Sequence, residues 1–143
     1  MSQVDFHILD SQDPERALHH ACRFINKAYR EGYRLHVRVA DRTDAEQLDK
    51  MLWAFSDLAF IPHKIEGTGD TTPAPVNISI MGGSPEPDAI LVNLCSVMPE
   101  DYTNHARVVE IVAGDADTTN AARERYRRYR DAGDTLEMHK IPN

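Results

Sequence analysis

The residue types that invite a chemical reading gather near the end of the chain. Within Ala122-Arg123-Glu124-Arg125-Tyr126-Arg127-Arg128-Tyr129-Arg130, five of the 16 basic residues fall in eight positions with one acid among them. Elsewhere 11 basic residues stand against 22 acidic ones, so charge is segregated on a chain whose net charge is −7. Arg123, Tyr126, Arg127 and Arg130 stand at i, i+3, i+4 and i+7 and share one helix face. Arginine forks bind carboxylates bidentately, and tyrosines offer apolar walls with a polar tip. The face reads as an anion-recognition surface. The plainer alternative is a solvated face with arginine stems lying over apolar surface. Acidic surroundings would repel a long phosphate backbone and suit a short acidic peptide better.

Other candidates are weaker. His19-His20 stands near Cys22, but adjacent helical histidines point about 100° apart and do not converge on one metal. Cys22 also belongs to an apolar stripe, so a core thiol beside surface histidines is the better account. Cys95 with His63 or His105 as base would make a nucleophile, but nothing local supports that, and a buried thiol at a strand end is the better account. The carboxylate pairs Asp41 with Asp44 and Glu86 with Asp88 fall at caps and turns. The residues thus point to no catalytic group, no metal ligand set and no cofactor site. Two cysteines cannot build a disulfide framework or a four-thiolate zinc centre.

The elements that would position these residues follow from periodicity. The 143 residues suit one domain, 1–143, with 41% apolar and 27% charged residues. Val4 to Leu9 reads as a buried strand. Asp13 caps a helix with Pro14 at its first position, and Gly32 stops it. Its stripe is Leu18, Ala21, Cys22, Ile25, Ala28 and Tyr29. Arg34 to Ala40 alternates as a half-buried strand, with His36 and Arg38 on the outer face. A second helix starts near Thr43-Asp44, with Thr43 as cap, Glu46 at N3, and Leu48, Met51, Leu52 and Phe55 as its stripe. Trp53 lies off that stripe.

Phe60-Ile61-Pro62-His63 resembles a short strand ended by proline. Residues 66–75 form a loop, and Val76 to Met81, Ala89 to Leu94 and Val108 to Val112 read as strands around the GGSPEPD turn. The last helix spans Asp115 to Ala132, capped by Asp117 or Thr118 and closed by Gly133. Its neighbouring stripe, Ala122, Tyr126, Tyr129 and Gly133, faces the sheet. Thr135 to Ile141 adds an edge strand. Strands alternating with helices predict an α/β fold: a mostly parallel, twisted sheet with helices on both faces.

That layering is Rossmann-like, but it lacks a phosphate-binding loop. The first strand–helix turn, Leu9-Asp10-Ser11-Gln12-Asp13-Pro14, has no glycine and carries carboxylates that repel phosphate. Gly67-Thr68-Gly69 lies in a loop without the strand and helix the fingerprint requires. No apolar run is long enough to span a membrane, and the N-terminus lacks the pattern of a signal peptide. The expected location is the cytoplasm.

Several blocks in order resemble the chi subunit family of bacterial DNA polymerase III. They are Phe6-His7-Ile8-Leu9-Asp10, then Leu48-Asp49-Lys50-Met51-Leu52-Trp53 followed by Phe60-Ile61-Pro62-His63, and finally Ala122-Arg123-Glu124-Arg125-Tyr126 through Tyr129-Arg130 and Gly133. The resemblance implies a non-catalytic replication subunit without cofactors, whose DNA contact is mainly indirect. It implies pairing with the psi subunit of the clamp loader and binding of the acidic, phenylalanine-ended C-terminal tail of single-stranded DNA-binding protein. Some members of the family alternatively join an accessory helicase.

For the tail site, Trp53 and Phe60 resemble the family's aromatic pocket wall and Val112 a further apolar wall. Arg123 resembles the arginine that grips the free carboxylate, with Tyr126 beside it. Where the family carries a pocket lysine one turn upstream, this chain has Thr119. Arg127, on the face of Arg123, is placed by helical spacing to compensate. Two other functions remain open on the residues alone: a small nucleotide-dependent enzyme, and a direct single-strand binder stacking bases on Tyr126 and Tyr129.

Overall fold

A computed structural model describes residues 2–54, 61–66, 74–80 and 88–142. In chain order the strands are β1 (Gln3–Leu9), β2 (Arg34–Val39), β3 (His63–Ile65), β4 (Val76–Ile80), β5 (Ala89–Asn93), β6 (Arg107–Val112) and β7 (Thr135–Ile141). Among the described residues the helices are α1 (Pro14–Arg30), α2 (Arg42–Ala54) and α3 (Ala116–Asp131), with a 3-10 turn at Tyr102–Asn104. Among the described residues the strands form one sheet in the order β3-β4-β2-β5-β6-β1-β7, and every pairing is parallel. Parallel neighbours need crossovers, and α1, α2 and α3 supply those from β1 to β2, β2 to β3 and β6 to β7.

Side-chain parity divides the molecule into two cores. Leu35, Val37, Ile90, Val92, Val109 and Ile111 face α1 and α2, where they meet Ile25, Leu48 and Leu52. The alternate positions Val4, Phe6, Leu91, Val108 and Val112 meet Ala122 and Tyr129 of α3 on the opposite face. With both faces covered, strands become nearly continuous apolar runs, as β6 shows.

Each helix has local causes. Asp13 caps α1 by accepting from the Glu15 backbone N–H at 3.0 Å, with Pro14 behind it. Gly32 and Gly133 take φ of +94° and +87° just past α1 and α3, where a side chain would be strained.

Several expectations are corrected. Leu35–Val39 is buried on both faces, because His36 reaches Ser79 Oγ at 2.7 Å and Arg38 pairs with Asp101. The cap of α2 is Asp41, whose Oδ1 accepts from the Asp44 N–H at 2.9 Å, while Thr43 lies within the helix. The cap of α3 is Asp115, bonded to the Thr118 N–H at 3.0 Å, rather than Asp117 or Thr118. The short strand begins after Pro62, at His63, instead of ending there. Phe55, Phe60, Met81 and most of the predicted loop and GGSPEPD turn lie outside the described residues.

Candidate functional site

The sheet places α3 first. Glu110, fully buried on β6, receives three hydrogen bonds, and the two from α3 fix that helix in rotation and height. Arg125 Nε lies 3.1 Å from its Oε2, and the Tyr129 hydroxyl donates to the same oxygen at 2.8 Å. Asn93 Nδ2 donates to Oε1 at 2.9 Å, and Arg125 also donates to the Ser96 carbonyl at 2.8 Å. Burial pushes the Glu110 carboxyl up, and Arg125 followed by the Asn93 and Tyr129 hydrogen bonds pulls the other way. Burial, reinforced by Glu110, holds the Tyr129 hydroxyl protonated far above its usual range.

With Arg125 turned inward, the remaining arginines are turned outward. A cavity of about 430 Å³ opens between α3 and the sheet. Its floor is two cross-strand pairs: Phe6 with Met138 of β7, and Ile8 with Val112 of β6. Ala122 and Tyr126 close the helix side, and the Phe6 and Tyr126 ring centroids are 5.6 Å apart. Thr119, Arg123, Arg127 and Arg130 stand at the rim. Arg127 reaches Glu124 at 2.6 Å and Arg130 approaches Asp131 at 3.5 Å. Arg123 has no ion-pair or hydrogen-bond partner among the described residues. Chemically this is an apolar slot with an unneutralised fork at its mouth, suited to an apolar side chain beside a carboxylate.

Of the expected tail-site residues, Val112, Arg123, Tyr126 and Arg127 come together here, along with Thr119. Trp53 does not. It sits on α2, across the sheet, 55% exposed with its ring 4.7 Å from that of His63. His63 is held by Asp49 at 3.0 Å. Phe60 lies outside the described residues. Sequence reasoning missed Phe6, Ile8 and Met138 as pocket walls. Their signal was parity on β1 and on the edge strand.

The crevice where a doubly wound sheet ordinarily takes a ligand lies between β1 and β6, whose following helices go to opposite faces. Here the protein's own backbone fills it. The Gly114 N–H donates to the Ser11 carbonyl at 2.8 Å, and a Cβ on Gly114 would stand 2.8 Å from the Leu9 carbonyl oxygen. The N-termini of α1 and α3 are both already capped by carboxylates, Asp13 and Asp115. A phosphate would have to displace both from the amides it needs.

The family model described as DNA polymerase III chi subunit, HolC, matches residues 1–137. The chain belongs to the chi subunit family. A DNA polymerase III subunit chi of Pseudomonas aeruginosa is 34% identical over 142 residues, covering 99% of each chain. One of Escherichia coli is 30% identical over 141 residues, covering 95% of this chain and 96% of its own. One of Haemophilus influenzae is 25% identical over 122 residues, covering 85% of each. Chi proteins are DNA replication subunits, so the plugged crevice and the arginine-rimmed slot belong to a component of the polymerase III assembly. Among the described residues, no helix is long and apolar enough to cross a membrane.

Proposed function

We propose that this chi-family chain is a non-catalytic adaptor in the cytoplasm. It joins the clamp loader, through the psi subunit, to the acidic C-terminal tail of single-stranded DNA-binding protein, and an accessory helicase is an alternative partner. The observation that carries the reading is Arg123, with no ion-pair partner among the described residues, at the mouth of the Phe6–Met138 and Ile8–Val112 slot. The tail's terminal phenylalanine ring fills the slot against Val112 and Tyr126. Its free carboxylate takes the Arg123 fork, and Arg127 supports the upstream acids, standing in for the lysine that Thr119 replaces. Trp53, on the far face, takes no part in this contact.

A disordered tail loses entropy on docking, so a single contact is weak to moderate. Many tails along one coated strand raise the effective concentration and retain the polymerase without any tight single contact. Fluorescence anisotropy of a labelled acidic peptide ending in phenylalanine tests the proposal. Saturable binding, lost when that phenylalanine is removed, supports it; equal binding of both peptides contradicts it.

A further inference from the structure

On the α1 face of the β1–β7 edge, strand register assembles a second group that is remote in sequence. Asp5 is the register partner of Glu137, and His7 that of His139. His139 Nε2 lies 3.6 Å from Asp5 Oδ1 and 3.5 Å from Glu137 Oε2. These separations exceed the ordinary hydrogen-bond range of about 2.7–3.2 Å. They do match the edge of a coordination tetrahedron, because donors bound at about 2.0–2.2 Å stand about 3.3–3.6 Å apart. All three donor atoms lie within 4.8 Å of one another, the one such group of three among the described residues.

The surroundings resemble a supported ligand set. Asp5 is 5% exposed, and its carboxylate accepts from Gln3 Nε2 at 3.1 Å and Arg107 Nε at 3.3 Å. Arg107 holds Oδ2, the oxygen opposite the ligating Oδ1, and so orients the carboxylate from behind, while Gln3 bonds to Oδ1 itself. Arg107 is itself held over the Phe24 ring at 5.8 Å. Its charge offsets one of the two carboxylates and leaves an excess of negative charge for a cation. Glu137 and His139 are solvent-accessible, so an ion has a path in and one coordination position stays open. One imidazole with two carboxylates suits a divalent transition cation, whereas magnesium demands octahedral oxygen coordination.

We propose that Asp5, Glu137 and His139 form a three-ligand site for a divalent transition cation of the zinc type. A bound ion would clamp edge strand β7 to β1, the two strands whose opposite face carries Phe6, Ile8 and Met138. Calorimetric titration of the intact chain with zinc, repeated with cobalt(II) to read its visible absorption, tests this. One equivalent should bind the wild type, with four-coordinate cobalt bands. His139→Ala should weaken binding at least ten-fold and abolish the bands, while His19→Ala, at an exposed α1 position outside the cluster, should bind as the wild type does. No saturable binding by the wild type overturns the proposal. So does unchanged affinity in His139→Ala, or loss of binding in His19→Ala. Circular dichroism of each variant establishes that the fold is kept.

Discussion

Arg125 of α3 and Glu110 of β6 form an ion pair at 3.1 Å that is buried on both sides, their side chains 4% and 0% exposed. It determines which arginines of the basic run point outward. Because Arg125 is spent inside, Arg123, Arg127 and Arg130 fall on the outward face and surround the slot. The pair therefore links the interior of the sheet to the chemistry of the surface.

Breaking that pair should be costly. Arg125→Met leaves Glu110 buried without its cation, and such losses amount to about 3–5 kcal/mol. Urea unfolding should show this drop. Combining it with Glu110→Leu should recover much of the loss, since apolar replacement of a whole buried pair is often neutral. A double variant no more stable than the single one would contradict the account.

Gly114→Ala should destabilise by about 1–3 kcal/mol, the usual cost of overpacking. The added methyl would meet the Leu9 and Ser11 carbonyl oxygens at 2.8 and 3.2 Å, atoms of backbone that cannot swing aside. The midpoint of urea unfolding checks it.

Acid sensitivity should trace to Arg38 and Asp101. The hydrogen bond from Arg38 holds the Asp101 carboxyl below its usual 3.8, against a smaller opposing effect of partial burial. A carboxyl with a depressed folded-state pKa adds stability that is present above the unfolded value. That stability is lost as pH falls through the folded one. Wild type should therefore lose stability as pH falls from about 5 to about 3, across the usual 3.8 and toward the lower folded value. Asp101→Asn should lose less over the same interval, measured by urea midpoints at the two pH values.

Much of this was legible in the sequence. Element order, the Asp13 cap, the glycine stops and the edge strand follow from periodicity and turn chemistry, and the lack of a glycine-rich turn from the residues Leu9 to Pro14. What failed had physical reasons. Reading β2 as half-buried assumed that His36 and Arg38 seek water, whereas Ser79 and Asp101, distant in sequence, let them be buried. Thr43 and Thr118 are acceptable caps by type, but the chain places Asp41 and Asp115 at the position that accepts the amide. Glu110, alone among the β-branched residues of β6, was the available signal for a buried cation. Trp53 lay off its helix stripe as expected, yet periodicity could not tell on which face of the sheet that helix would pack.

Tail binding should weaken with salt, because Arg123, Arg127 and Arg130 stand at an exposed rim. Between about 0.1 M and 1 M salt the screening length falls from about 10 to about 3 Å. Affinity for the acidic peptide should fall several-fold across that range, and less steeply for Arg127→Ala. Anisotropy titrations at the two salt levels measure both slopes.

The most direct test compares two variants in the peptide titration. Arg123→Ala removes a charge-assisted contact worth about 1.5–3 kcal/mol, so affinity for the phenylalanine-ended tail should fall roughly ten- to hundred-fold with no change in stability. Trp53→Ala, across the sheet, should leave tail affinity at the wild-type value. The reverse pattern, with Trp53→Ala losing the tail and Arg123→Ala keeping it, would contradict the placement of the site on α3.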